Sequence, residues 1–232
     1  MYKYRSAILI AIILFITNPY ASHSQDFDIS NSTKVKLWAT FYYALKLEEY
    51  TQDDAVPIRN MQDQVIGPKI QASDWCKGAI EGTIHVASQV FNYAGVRNPK
   101  QADCPHKSSS RVRWTLAKHP YGDGSRGNPL LPFKTLACDL GTVENSEPWL
   151  NGGYAKFGQR IYIPAAKGIA LPNGQTHDGI FECGDVGGKI TGNHIDVFLG
   201  AVSGGYSNAA QLNPFNFVKS DPGKTFDGYV LN

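Results

Sequence analysis

The stretch Gly184-Asp185-Val186-Gly187-Gly188-Lys189-Ile190-Thr191-Gly192-Asn193-His194-Ile195-Asp196-Val197-Phe198 most constrains what this chain can become. Its two aspartates stand eleven positions apart with three glycines between them, and the second sits in an apolar, β-favouring run. A carboxylate is costly in apolar surroundings, while glycines let backbone or ligand approach closely. That combination belongs to a site more often than to a core. In a strand, Ile195 and Val197 point to the face opposite Asp196. Desolvation there raises a carboxyl pKa, which is what a general acid requires. Asp185 can accept hydrogen bonds from amides of the glycine turn, which would hold it ionised and rigid. Asp139 follows Thr135-Leu136-Ala137-Cys138 at the end of another short strand. From spacing alone, each aspartate is more often a turn or capping residue than a catalyst.

The remaining composition narrows the class. The chain has 232 residues, enough for one domain with a real core, and only 18% are charged, against roughly 25% in ordinary globular domains. A formal charge of +2 with scattered basic residues gives no track for phosphates, so no nucleic-acid partner is expected. Twelve tyrosines, eleven phenylalanines and four tryptophans serve core packing or stacking on sugar rings, and composition does not separate the two. Lys3 and Arg5 precede an apolar run from Ala7 to Ile16, broken by Asn18-Pro19 and followed by Ala21, Ser22 and Ser24. This reads as a signal peptide over 1–24. Ten apolar residues are too few to span a bilayer, which needs about 20. The mature chain is therefore expected in the periplasm or outside the cell with no stable membrane span. The first cysteine is Cys76, so no lipid attachment is expected near the cleavage site.

Four cysteines in an oxidising compartment allow three pairings. None has Cys-x-x-Cys spacing, which argues against zinc and thioredoxin-like chemistry. Cys138 with Cys183 is the favoured disulfide, because each adjoins a singled-out aspartate, and Cys76 with Cys104 follows.

Residues 35–43 are β-branched and aromatic and read as a strand. Ser73 and Asp74 open an expected helix to about Ala94, with Gly95 as its stop. Further strands are expected near 111–118, 133–138, 159–164, 168–171, 179–183 and 194–199, separated by turns such as Pro172-Asn173-Gly174. Many short strands with glycine-rich turns argue for a small barrel or sandwich. The tail 203–232 is poorly patterned.

Thr135-Leu136-Ala137-Cys138-Asp139-Leu140-Gly141, Gly158-Gln159-Arg160-Ile161-Tyr162-Ile163-Pro164 and the Gly184–Phe198 stretch together resemble the three-aspartate (3D) domain family. That domain is shared with the MltA family of lytic transglycosylases, and Trp38-Ala39-Thr40-Phe41-Tyr42-Tyr43 is similar to the strand that opens its barrel. The resemblance implies a mainly β chain: a double-psi β-barrel with a partly helical insertion. Residues 25–232 would be one domain, with 44–132 inserted and 133–200 carrying the barrel core. It implies peptidoglycan or a related polysaccharide as partner, with no metal and no cofactor. Asp196 matches the family's catalytic acid, Asp185 its supporting aspartate and Asp139 the first of the three. Tyr42, Gly187, Gly188, Lys189 and His194 are the candidate substrate contacts; His194, two residues from Asp196 on the same strand face, could instead tune that carboxyl group or lie at the surface. In the implied reaction one carboxyl group protonates the glycosidic oxygen between N-acetylmuramic acid and N-acetylglucosamine. It then takes the proton of the C6 hydroxyl that closes a 1,6-anhydro ring.

The insertion would supply the far wall of a saccharide groove, onto which Trp75, Trp114, Tyr121 and Trp149 could face, although core packing is the ordinary use of Trp75 and Trp114. Two other classes fit the same barrel: a non-catalytic wall-binding module of the expansin kind, and a hydrolase of another polysaccharide. Gly184–Ile190 lacks the spacing of a phosphate loop, and Ser203-Gly204-Gly205 is not a nucleophile elbow. The six histidines show no metal-ligand spacing.

Overall fold

In a computed structural model of the chain, residues 29–141 and 155–231 are described. The expected signal segment and Trp149 lie outside them. The elements run β1 (Thr33–Leu47), β2 (Val56–Arg59), β3 (Val65–Ile70), α1 (Ala72–Glu81), β4 (Thr83–Val86), β5 (Gln89–Val96), β6 (Val112–Leu116), β7 (Thr135–Ala137), β8 (Arg160–Tyr162), β9 (Ile180–Asp185), β10 (His194–Ser203), α2 (Tyr206–Leu212) and β11 (Phe226–Val230). The molecule is mainly β.

β1 organises the rest. Buried Val35, Leu37 and Ala39 alternate with exposed Lys34 and Lys36, the period-2 pattern of a strand with one wet face. Tyr43, Ala44 and Leu45 are then buried in succession, where structure covers both faces. Its first residues pair antiparallel with β11, its middle pairs parallel with β10, and its end pairs parallel with β4. The strand order β10-β7-β9-β8-β11-β1, with β1 paired back to β10, closes a ring of six strands. The other side of β1 carries β4, β5 and β6, while β2 and β3 form a separate hairpin.

Two expectations are corrected. The helix from Ser73 ends at Glu81, not near Ala94. Gly82 takes φ 82° as its left-handed cap, and its N–H closes on the Gly78 carbonyl. The apolar residues beyond it fit two alternating strands: β4 and β5 form a hairpin turned at Ala87. Thr83, Ile84 and Val86 are β-branched and favour the strand. The segment 168–171 forms only an isolated bridge, Ala170 to Thr176.

The tail also belongs to the ring. β11 pairs Tyr229 with Tyr162 and Val230 with Thr33, so the ring reaches beyond 133–200 at both ends. Phe215 and Phe217 pack edge-on or tilted against Phe133, Phe181 and Phe226. Aromatic spacing without strand or helix period hides such a segment from pattern reading. Trp75 and Trp114 are fully buried and meet edge-to-face at 6.1 Å, so they hold α1 onto β6 rather than face a groove. Tyr121 is 41% exposed but does not line the groove that holds Asp185 and Asp196.

Two disulfides brace these parts. Cys76 to Cys104 ties α1 to the loop before β6, and Cys138 to Cys183 ties the end of β7 to β9. The second closes a loop of 45 residues, which in the chain-entropy account is worth about 3–4 kcal/mol. Replacing Cys138 and Cys183 together by alanine is expected to lower unfolding stability by about that amount, read from denaturant midpoints at constant slope. An unchanged midpoint would show that the ring holds β7 and β9 without the bond.

Candidate active site

The register of the ring lines up the chemistry. Thr40 of β1 stands beside Asp196 of β10, Asp196 beside Ala137 of β7, and Ala137 beside Asp185 of β9. The last pairing depends on an irregularity: Leu136 pairs with Cys183 but Ala137 with Asp185, leaving Gly184 as the extra residue. A one-residue bulge exchanges the faces of the residues after it, and here it places Asp185 opposite Ala137. A Cβ on Gly184 would lie 2.9 Å from Asn128 Nδ2 and 3.3 Å from Thr135 Cγ2, so glycine suits the position. The short Ala137 side chain keeps the space between the two carboxyl groups open.

Asp196, Asp185 and Ala137 floor a groove of about 810 Å³. Phe41, Tyr42, Gly187 and Gly188 line it from the ring side, and the end of α1, β4, β5 and the 123–125 loop line it from the other. Among its described lining residues are four carboxyl groups, Glu81, Asp123, Asp185 and Asp196, and no lysine, arginine or histidine. A phosphate polymer would be repelled here, whereas a neutral polyhydroxyl chain would find acceptors.

Each carboxyl group has its own surroundings. Asp196 is desolvated by burial, which lifts it to about 7 despite the Thr40 hydroxyl, which donates to its Oδ1 at 2.6 Å and opposes the rise. Repulsion from Asp185 adds to the shift. Asp185 is also lifted by burial, to about 6, against three donors: the Val186 N–H, the Tyr42 hydroxyl at 2.9 Å and the Ser125 N–H. Tyr42 is in turn driven well above the usual phenol range by burial and by Asp185, so it stays a donor. Three donors on Asp185 against one on Asp196 make Asp185 the more readily ionised of the two.

Behind Asp196 runs a chain of contacts. His194 Nε2 lies 2.9 Å from Thr40 Oγ1, and the His194 ring stacks on Trp38 at 3.5 Å. Burial pushes His194 below the usual imidazole range, so the ring is neutral near pH 7. His194 Nδ1 lies 3.3 Å from the Lys189 carbonyl, so the neutral ring has two arrangements: Nε2–H donates to Thr40 while Thr40 donates to ionised Asp196, or Nδ1–H donates to Lys189 and Nε2 accepts the Thr40 proton. His194 is 6% exposed and does not line the groove, and its contact toward Asp196 runs through Thr40.

The remaining sequence candidates divide. Gly187 and Gly188 line the groove; Lys189 does not. Asp139 does not line it either: Oδ2 accepts the Gly192 N–H at 2.8 Å and Oδ1 the Gly141 N–H at 3.1 Å. It pins the far end of the glycine loop that Asp185 begins. Sequence reasoning missed Thr40 as the hydrogen-bond donor to Asp196, the Gly124-Ser125 turn and Glu81. A Cβ on Gly124 would approach the Gly184 carbonyl to 2.4 Å, a backbone clash that explains the glycine. The signal for that turn is the Gly122-Asp123-Gly124 spacing in a segment that otherwise reads as plain loop. Among the described residues no group of side chains is placed to hold a metal ion, and no helix is long and apolar enough to cross a membrane.

The raised carboxyl groups make stability pH-dependent. A group whose folded pKa exceeds its unfolded value stabilises the fold at low pH and loses that contribution as pH rises through the folded value. For Asp196 this window runs from about 4 to about 7. Buried histidines titrate with the opposite sense, so the difference between variants isolates the aspartate. Asp196→Asn is expected to match the parent at pH 4 and to exceed it at pH 8 by on the order of 2 kcal/mol, about 4–8 °C in Tm. Equal Tm values at both pH values would mean that Asp196 is not desolvated.

Residues 152–211 match the family described as 3D domain, a segment that holds Asp185 and Asp196 but not Asp139. No curated protein sequence matches the chain. Among solved structures, MltA of E. coli with bound chitohexaose superposes at TM-score 0.53 with 13% identity, over 87% of this chain and 75% of that one. The membrane-bound lytic murein transglycosylase of Agrobacterium tumefaciens gives TM-score 0.47 and 15% identity over 87% and 76%. MltA of Neisseria gonorrhoeae gives 0.46 and 12% over 85% and 72%. Residues 152–211 are thus similar to the 3D domain, and the fold is similar to that of MltA.

Proposed function

We propose that the protein is a lytic transglycosylase of peptidoglycan, acting outside the cytoplasm, with Asp196 as its single general acid and base. The observation that carries this reading is a desolvated carboxyl group, held at about 7, on the floor of a groove with no cationic side chain among its described lining residues. The six-stranded ring is read as the double-psi barrel, and 44–132 as an insertion forming the groove's other wall. The likeness of fold to MltA with bound chitohexaose supports a saccharide in that groove.

In this mechanism Asp196 enters protonated. Thr40 occupies its Oδ1 as a donor once the proton is gone, which leaves Oδ2 to exchange protons with substrate. Protonation of the glycosidic oxygen lets the bond break with positive charge developing at the anomeric carbon. Asp185, ionised at lower pH, stabilises that charge across the short gap left by Ala137. Asp196, now ionised, takes the proton of the muramic acid C6 hydroxyl as its oxygen attacks the anomeric carbon. Tyr42 holds Asp185 in place, His194 acts through Thr40, and Asp139 fixes the loop. A hydrolase would instead activate a water with a second carboxylate at a separation set by stereochemistry.

The two pKa values predict the pH profile. Asp185 must be ionised and Asp196 protonated, so activity rises through about 6 and falls through about 7, giving a narrow bell. Asp196→Asn is expected to lower turnover by at least about 10³-fold while the variant stays folded. The test is mass spectrometry of peptidoglycan digested by the mature protein. Fragments ending in 1,6-anhydromuramic acid, absent with Asp196→Asn, are the expected result. Free reducing ends would make the protein a hydrolase, and retention on the sacculus without fragments would make it a binding module.

A further inference from the structure

Glu81 is a groove carboxyl group that neither the aspartate motif nor the proposed mechanism uses. It closes α1, and three features fix its position. Gly82 stops the helix in a left-handed cap. Trp75 is fully buried on the same helix, and Cys76 is bonded to Cys104. The carboxyl group is thus delivered to the groove wall by a braced helix end.

What Glu81 touches is also defined. The ladder between β1 and β10 shifts register between Tyr42 and Ala44, because Phe198 and Ala201 of β10 oppose them with Leu199 and Gly200 in between. Gly200 turns the bulge at φ 93°. Tyr43 stands at this break, and its N–H donates to Glu81 Oε2 at 3.3 Å. β1 therefore holds three carboxyl groups along one short run: Asp196 by Thr40, Asp185 by Tyr42 and Glu81 by Tyr43.

A carboxyl group this desolvated, with no cation beside it among the described groove residues, is a poor device for stability. Burial lifts it to about 7, opposed by the Tyr43 N–H and hydroxyl, and repulsion from Asp196 adds to the rise. The groups facing the pair are few. Tyr42 and Tyr43 come from β1 and Asp185 from β9, with Tyr206 of α2 acting on Tyr43. Asp123, on the same wall as Glu81, is already engaged with His119 and the backbone N–H groups of Lys118 and His119. Glu81 is the carboxyl group on that wall that keeps acceptor capacity for a ligand.

We propose that Glu81 is a substrate-contacting carboxyl group of the insertion wall, accepting hydrogen bonds from hydroxyl or amide N–H groups of the saccharide. This rests on the saccharide reading of the groove. Repulsion between two carboxylates is mutual, so removing the charge of Glu81 lowers the proton affinity of Asp196 and moves the alkaline limb of activity to lower pH.

The test has two arms. Chitohexaose binding is measured by calorimetry on Asp196→Asn, alone and combined with Glu81→Ala; the added substitution is expected to weaken binding about tenfold. The pH profile of peptidoglycan cleavage is measured on Glu81→Gln with Asp196 intact; its alkaline limb is expected to move to lower pH. Tm values report that both variants fold. Unchanged binding and an unchanged limb would reduce Glu81 to a packing partner of Tyr43 and overturn the inference while leaving the enzyme reading intact. A parent that neither binds chitohexaose nor cuts peptidoglycan would remove the saccharide reading, and this inference with it.

Discussion

The parallel pairing of β1 with β10 is the constraint from which the site arises. It sets Trp38 beside His194 and Thr40 beside Asp196, so a stacked ring, a hydroxyl and a carboxyl group form one line. A slip of one residue would turn Thr40 to the other face and leave a buried aspartate without a donor. β1 can hold that register because it is anchored at three places along its length, by β11, β10 and β4. The same strand joins the ring to the second sheet, so the groove between them is built into the path of a single segment.

Irregularities in the ring place the remaining groups. The extra Gly184 in β9 brings Asp185 round to face Asp196, and the break at Leu199-Gly200 in β10 frees the Tyr43 N–H for Glu81. Both are local departures from a regular ladder, and both lie at the groove. The result is a group of carboxyls in graded surroundings. Asp185, with three donors, ionises first; Asp196 and Glu81, each with fewer, hold their protons longer. Separating the proton affinities of neighbouring carboxyl groups is how a site assigns one as acid and another as anion.

Much of this is legible in the sequence, for identifiable reasons. The Asp185 to Asp196 spacing, with its glycines, marks a turn and a strand, and those residues do meet on the groove floor. The β-branched and aromatic run at 35–43 marks the centre of β1. Glu81 is invisible there because the apolar spacing carries the expected helix through Gly82 into β4 and β5, which would place Glu81 in mid-helix. Thr40 is inconspicuous because a threonine in a strand is ordinary; only the register shows that it faces an aspartate. β11 lacks a pattern because Gly228 interrupts it, a glycine required where a Cβ would come within 2.7 Å of Leu37 Cδ1. Asp139 and His194 lie close to the motif in sequence, yet neither lines the groove: one fixes a loop and the other stands behind Asp196.

The account depends on Asp196 being a desolvated carboxyl group that keeps its proton near neutrality. The most direct test is a carbon-13 NMR titration of the aspartate side-chain carboxyl carbons, with the Asp196 signal assigned by its loss in Asp196→Asn. The account predicts a midpoint of about 7 for that signal. A midpoint at the ordinary aspartate value of about 3.9 would show an exposed, ionised carboxylate and contradict its role as the acid.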